Sequence, residues 1–417
     1  MVQRQGDRVR VPDPHTSGDY RLLIAARVVR AFAFGGAAVL VALLLRARNL
    51  SAGQIGVVLG IGLLSGSLSS LGFAAISGRF GRRVALAVAG LLMAVAGAIM
   101  AVASQPWLLA LAGVTGMLGI SNIDLGGFAA VEQAVLAESL TARERNVGFA
   151  RYSVSGGLAA AAGSLAAGLA TDLARLQTAF ALYAAAGLLT SGLALLLSDR
   201  VEAPEPGAVL TRASMRPVAV LSGLFALDAF AGGFVVQSII AYWLVVRFGA
   251  GAGVLGPMFA VLVLVQAASY EVAGRLANRI GLIRTMVFTH LPSNVLLMLV
   301  PFAPSLGWAI LVLAARSSIS RMDVPTRQAY VVSIVPSAER AGAIAVTGAV
   351  RGVAQAVGPV LAGAAIGGAA LGLPFFVGGG LKIVYDLGLY RLFSARQAQY
   401  EGQPGAETTT NARIGPA

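Results

Sequence analysis

The sequence contains no cysteine, which excludes disulfides, thiolate chemistry and cysteine-ligated metal. Charge is scarce as well. Asp, Glu, Lys and Arg make up 12% of the 417 residues, against about a quarter in soluble domains. Histidine occurs twice, at His15 and His290, with no His-x-x-x-His pair, so no imidazole metal centre is expected. There is no Walker loop. The Gly60-x-Gly62 pair finds its next glycine at Gly66, one position late for a dinucleotide loop. No nucleophile and base converge in the sequence as an enzyme would require. A chain without a nucleotide-binding loop must draw any work from a gradient, and neither a cofactor nor a metal is expected.

Apolar sequence is what the chain has in excess. It is 57% hydrophobic with 52 glycines and a mean hydropathy of +0.80. A soluble chain of this length could not cover so much apolar surface. A spanning helix needs about 20 apolar residues, and twelve such spans can be drawn: 22–45, 53–77, 84–104, 107–135, 147–170, 178–198, 217–246, 253–273, 285–303, 306–334, 343–366 and 372–393. The runs are long and do not alternate, which argues against a membrane barrel. The first span is longer than the apolar core of a signal peptide. The expectation is an all-α, multi-pass integral membrane protein with twelve transmembrane helices.

The net charge of +13 follows this topology. With the N-terminus inside, nineteen arginines fall on the inner side and four, Arg46, Arg48, Arg175 and Arg247, on the outer. That asymmetry is the positive-inside rule. It predicts an inner-membrane protein with both termini cytoplasmic, and a basic excess that owes nothing to nucleic acid.

The chain also repeats itself. "RAFA" at Arg30–Ala33 matches "DAFA" at Asp228–Ala231, and "EQA" at Glu132–Ala134 matches "RQA" at Arg327–Ala329. Gly157, Gly163 and Gly168 match Gly352, Gly358 and Gly363. The reading is an N-terminal tail (1–20), a six-helix half (21–198), a Pro- and charge-rich cytoplasmic linker (199–216), a second half (217–393) and a C-terminal tail (394–417). Two six-helix halves repeated in parallel are a transporter architecture, in which the halves rock about a midplane site.

The loop after the second span reads "AAISGRFGRR" and resembles the Gly-x-x-x-Asp-Arg-x-Gly-Arg-Arg motif of the major facilitator superfamily. Arg79, Gly81, Arg82 and Arg83 match, while Ala74 and Gly78 replace the leading Gly and the Asp. The second copy keeps Gly274, Arg279 and Gly281 but has Asn278 for the Asp. Since that acidic residue helps latch the halves in the family, the resemblance implies a weakened or rewired latch. "FTHLPSN" and "MDVPTRQ" further resemble stretches in a group of bacterial, drug-antiporter-like members. The antiporter motif of the fifth span is degraded, with Ser164 in place of proline, and the eleventh span carries the better copy, "VGPVLAG". The resemblance implies secondary active transport by alternating access. The leading expectation is proton-coupled export of a small organic molecule by a monomer in the lipid bilayer. The alternative is transport of a small anion. A non-transporting sensor or enzyme is a remote third.

Ionisable groups inside a membrane are costly and face a cavity or one another. With Arg391 counted to the cytoplasmic edge of the last span, fifteen fall within the spans, nine of them on the first, fourth, seventh and tenth, which the resemblance places around the central cavity. Arg27, Arg30, Asp228, Arg316, Arg321, Asp323 and Arg327 are the expected cavity or gating residues. Asp124, Glu132, Glu271 and His290 are the proton-coupling candidates, with Asp124 preferred because no cation is near it in sequence. Arg316, Asp323 and Arg327 would share a stripe of one helix, kinked at Pro325. Opposite signs at the matched positions 30 and 228 predict an ion pair across the halves. Lys382 and Asp386, four apart, predict a local pair.

Overall fold

The computed structural model describes residues 14–121, 127–139, 142–202, 212–322, 327, 330, 331, 335 and 340–393. In the N-terminal half the helices are α1 (Pro14–Ala47), α2 (Ala52–Phe80), α3 (Arg82–Val102), α4 (Pro106–Val114), α5 (Gly127–Ser139), α6 (Ala142–Ala167) and α7 (Leu173–Leu195). The C-terminal half has α8 (Arg212–Gly233), α9 (Gln237–Phe248), α10 (Ala252–Ile280), α11 (Leu282–Leu299), α12 (Leu306–Ser317), α13 (Arg340–Gly367) and α14 (Leu373–Phe393). Among the described residues no strand occurs, and eight helical stretches are long and apolar enough to cross a membrane by themselves. The fold is the all-helical, two-half bundle expected. α1 starts earlier than the first apolar span, so residues 14–20 of the expected tail are helical.

Local chemistry sets the helix ends. Ser51 and Gln54 form a capping box at the start of α2, satisfying N–H groups that the first turn leaves without helical partners. Asp172 caps α7 through the Arg175 N–H at 2.9 Å. Gly249, at φ +67°, ends α9 in the left-handed conformation that glycine adopts without strain.

Three spans expected to be continuous are broken. The fourth stops at Val114 and resumes at Gly127, after a stretch in which Gly116 takes φ +70°. The seventh breaks between Gly233 and Gln237, and Val236 is extended. The tenth leaves α12 at Ser317 and continues as turns through Met322. One unbroken helix therefore does not carry Arg316 on to Arg327, and Asp323 and Pro325 lie outside the described residues. Broken helices survive in a membrane where other protein groups take up the freed carbonyls. Here the Tyr183 hydroxyl donates to the Met117 carbonyl. The Ser238 hydroxyl lies 2.8 Å from the Ile120 carbonyl and 2.9 Å from that of Ala38.

Packing obeys the repeat. α1 lies on α6 as α8 lies on α13, and α3 lies on α7 as α11 lies on α14. Between halves, α2 packs along α13 and α10 along α6. The seam is made of close backbone approaches. A methyl group at Gly56 would run into the Pro359 carbonyl, and one at Gly363 into the Ala52 carbonyl. In the related crossing, a methyl on Gly256 would meet the Gly168 backbone and the Ser164 carbonyl. Small residues let helix backbones approach this closely in lipid. These approaches gather at the end of the bundle that carries the α1–α2 loop.

Candidate functional site

Each half holds a buried ion cluster. In the N-terminal half, Arg30 on α1 grips Glu132 on α5 through two parallel hydrogen bonds, Nη1 to Oε1 and Nη2 to Oε2, both 2.7 Å. The fork geometry suits guanidinium and carboxylate. The Tyr152 hydroxyl, from α6, donates to Glu132 Oε2 at 2.6 Å. Side-chain exposure is 0% for Arg30 and 1% for Glu132. Arg30 rests over the Phe128 ring at 4.2 Å, and Arg27 over the Tyr152 ring at 4.6 Å. A side chain at position 156 would strike the Arg27 guanidinium, so Gly156 makes room for it.

The C-terminal cluster centres on Asp228 of α8. Its Oδ1 is 2.5 Å from Lys382 Nζ on α14 and 3.9 Å from His290 Nε2 on α11. Its Oδ2 is 3.0 Å from Arg351 Nη1 on α13 and 3.6 Å from Arg327 Nη1. His290 Nδ1 lies 2.8 Å from Asp386 Oδ1, and the Asn294 amide donates to Asp386 Oδ2 at 2.9 Å. Arg327 and Arg351 both stand over the Phe225 ring, at 5.7 and 5.9 Å.

Two expected pairings are corrected by this geometry. Arg30 and Asp228 do not bind each other; each takes partners within its own half, because the opposite charge lies on a neighbouring helix of that half. Lys382 and Asp386 do not form the local pair. On α14 they point into different contacts, Lys382 to Asp228 and Asp386 to His290 and Asn294. Arg316 and Arg321 are half-buried, at the end of α12 and in the turn after it. Asp124 and Asp323 lie outside the described residues, as does the side chain of Glu271.

Tyr152, Asn294 and Arg351 were not anticipated as cluster members. Arg351 carried a signal, being a charge within a span. Asn294 closes the stretch "FTHLPSN" one helical turn after His290, while Tyr152 carried nothing that distinguishes it from ordinary helix residues.

The loop motif forms a separate structure. Gly81 takes φ +93° between α2 and α3. The N–H groups of Arg82 and Arg83 donate to Glu202 at 2.5 and 3.2 Å. Arg83 also binds Asp199 and the Leu195 carbonyl, and Arg82 the Val201 carbonyl. Residues 199–202 form a 3-10 turn at the start of the linker. A carboxylate at a helix N-terminus meets free N–H donors and the positive end of the dipole. Glu202 thus sets a carboxylate against the start of α3, next to a motif whose own acidic position is Gly78. In the second copy Gly281 repeats the backbone conformation, at φ +87°, and no atom of the described residues lies within 4 Å of where its Cβ would stand. Arg79 lies by the Phe80 ring, and Arg79 and Arg279 are both exposed.

The sequence profile of the Major Facilitator Superfamily matches residues 23–315. An uncharacterised membrane protein of Saccharomyces cerevisiae is 24% identical over 432 residues, covering 93% of this chain and 96% of its own. Among solved structures, the nucleoside transporter NupG, as a D323A mutant, is similar at a TM-score of 0.75 and 11% identity, covering 90% of this chain and 99% of its own. A bacterial homolog of the human lysosomal transporter Spinster is similar at 0.73 and 15%, covering 94% and 100%. A D-xylose-proton symporter is similar at 0.67 and 14%, covering 89% and 97%. The chain belongs to the Major Facilitator Superfamily and is a multi-pass membrane transporter, not an enzyme.

Proposed function

We propose that this superfamily member is a proton-coupled exporter of a small organic molecule, working as a monomer by alternating access. The observation that carries the reading is the pairing of one tight seam with two buried ion clusters. The halves approach closely at the end holding the α1–α2 loop, through Gly56, Gly363, Gly168 and Gly256. The charge asymmetry of the loops supports an outer face there and both termini in the cytoplasm of the inner membrane. On that orientation the arrangement is closed toward the outside, as a state that loads its substrate from the cytoplasm for export requires. The titratable groups at the core of the C-terminal half supply chemistry for coupling to protons. Asp124, Glu132, Glu271 and His290 remain the candidate carriers, with Asp323 as a gate. The resemblance of "FTHLPSN" and "MDVPTRQ" to drug-antiporter-like members favours export.

A second reading rests on the cations. Arg327 and Arg351 share Oδ2 of Asp228 and keep 11% and 25% of their side-chain surface exposed. A carboxylate or phosphate on the substrate could compete for them, making the cargo a small anion. The human organic anion transporter MFSD10 is another structural neighbour, at a TM-score of 0.62 and 17% identity, covering 90% of this chain and 100% of its own.

The deciding experiment begins with a ligand screen by thermal shift on purified protein, since a binder stabilises the fold by mass action. The hit then goes into proteoliposomes with an imposed pH gradient. Uphill movement of the compound against the proton flux supports export. Exchange without any response to the gradient would remove proton coupling from the proposal.

A further inference from the structure

The chain contains a single lysine, Lys382; every other member of its 31 Lys and Arg residues is arginine. It contains one histidine outside the N-terminal tail, His290. Arginine keeps its proton under all conditions a protein meets, whereas buried lysine and histidine can release theirs. These two exchangeable cations meet at one atom. Lys382 Nζ is 2.5 Å and His290 Nε2 3.9 Å from Oδ1 of Asp228.

We propose that Lys382 and His290 form a proton-exchange pair that competes for Asp228 Oδ1, and that this pair is the coupling site. The inference deepens the proton-coupled reading and rests on it. With His290 neutral and its Nδ1–H donated to Asp386, Nε2 carries a lone pair and Lys382 holds Asp228 as an ammonium. A proton taken up on Nε2 creates an N–H donor facing the same oxygen. The imidazolium then binds Asp228, and Lys382, losing its acceptor, becomes free to release one proton from Nζ. One proton enters at Nε2 and one leaves at Nζ, so the charge of the pair is the same before and after.

The surroundings suit this exchange. Asp386 holds the imidazole from α14 and is itself held by the Asn294 amide from α11, and Tyr385 packs edge-on to the imidazole at 6.1 Å. Arg351 from α13 and Arg327 hold the other oxygen, Oδ2. They keep Asp228 in place while the partners of Oδ1 change. Gly232 faces the ammonium, and even an added Cβ would stay 3.6 Å from Nζ, which leaves room for Lys382 to withdraw. His290 is 4% exposed and Lys382 7%, so bulk water does not bypass the pair.

The sequence makes the test clean. In a His15→Gln background, selective nitrogen-15 labelling of histidine and lysine gives one imidazole and one ammonium to follow by NMR in proteoliposomes. The expected result is coupling set by the charge at position 382: Lys382→Met vacates Asp228 Oδ1 and moves the His290 response toward higher pH, while Lys382→Arg, which keeps a cation there, leaves it near its native position. Lys382→Arg thus serves as the control that preserves the ion cluster. The wild-type titration also stands without any variant, because each group should respond while the other changes form. If the two midpoints are independent, or Lys382 stays an ammonium in both His290 forms, the pair is overturned. That outcome leaves proton-coupled export intact, with the carrier elsewhere. Transport indifferent to a pH gradient would instead sink the export reading and leave the titration standing.

Discussion

The two halves solve the same packing problem with the signs reversed. In the first, the cation sits on the leading helix, as Arg30, and the anion at Glu132. In the second, the anion leads, as Asp228, and the matched position is Arg327. The N-terminal carboxylate is fully engaged: two parallel hydrogen bonds from Arg30, a third from a tyrosine hydroxyl and 1% side-chain exposure. The C-terminal anion is shared among Lys382, Arg351, Arg327 and His290, contributed from several segments. One half therefore has a fixed bond and the other a junction whose partners can be exchanged.

The largest expected effect breaks the fixed bond. Glu132→Gln leaves the guanidinium of Arg30 without its carboxylate in a site closed to water, at a cost of about 3–5 kcal/mol. Unfolding in mixed detergent micelles measures it. Exchanging the charges, with Arg30→Glu and Glu132→Arg together, gives the N-terminal half the polarity of its mate and should recover more than half of the loss. Additive losses in that cycle would mean the two side chains are not coupled.

Asp228→Asn should cost less stability, about 1.5–3 kcal/mol. Its partners Arg351 and Arg327 retain 25% and 11% of their side-chain surface, so water can take over part of the solvation. Its effect on transport should be the greater, since the exchangeable contacts all pass through this residue. A stability loss equal to that of Glu132→Gln would remove the distinction between fixed and exchangeable halves.

Much of this comparison was legible in sequence. The long apolar runs gave the bundle, and "RAFA" against "DAFA" with "EQA" against "RQA" gave the repeat. Both matches change sign, which is the mark of one internal pair per half. Opposite charges at positions 30 and 228 alone suggested a bond across the halves, and that reading failed because the complementary change at 132 and 327 supplies nearer partners. The breaks in the fourth, seventh and tenth spans were hidden for a different reason. Hydropathy measures transfer to lipid and is blind to whether a tyrosine or serine from another helix takes up freed carbonyls, as Tyr183 and Ser238 do. The contact of Glu202 with α3 joins residues 119 and 120 apart in sequence, beyond the reach of any local pattern.

The seam offers a test of symmetry rather than of difference. Gly56→Leu and Gly256→Leu each force a side chain into the backbone of the opposite half. Overpacking of this kind should cost the closed end about 1–2 kcal/mol, a shift of roughly five- to thirty-fold in population. Maleimide labelling at Ala52→Cys, a position buried at the seam beside Gly363, reads it, because the native chain has no thiol. Both variants should raise the labelling rate to a similar degree. A response to Gly56→Leu alone would show that the α2–α13 crossing closes this end without help from α6 and α10.

The smallest effect separates the two loop copies. Glu202 accepts from the backbone of Arg82 and Arg83 at the start of α3, while no atom of the described residues lies within 4 Å of where a Cβ on Gly281, at the start of α11, would stand. Glu202→Ala removes an acceptor and a charge from the positive end of a helix dipole, worth about 1 kcal/mol. Glu202→Gln should lose less, because the amide oxygen still accepts from one N–H while the charge is gone. Added salt should shrink the gap between Gln and the native Glu by screening the charge, and should leave most of the Ala penalty, which belongs to the hydrogen bonds. Asp199→Asn is the control on the same turn: its side chain is 94% exposed, and the unfolding midpoint should not move measurably. If Glu202→Ala is as silent as Asp199→Asn, the linker turn merely lies beside α3.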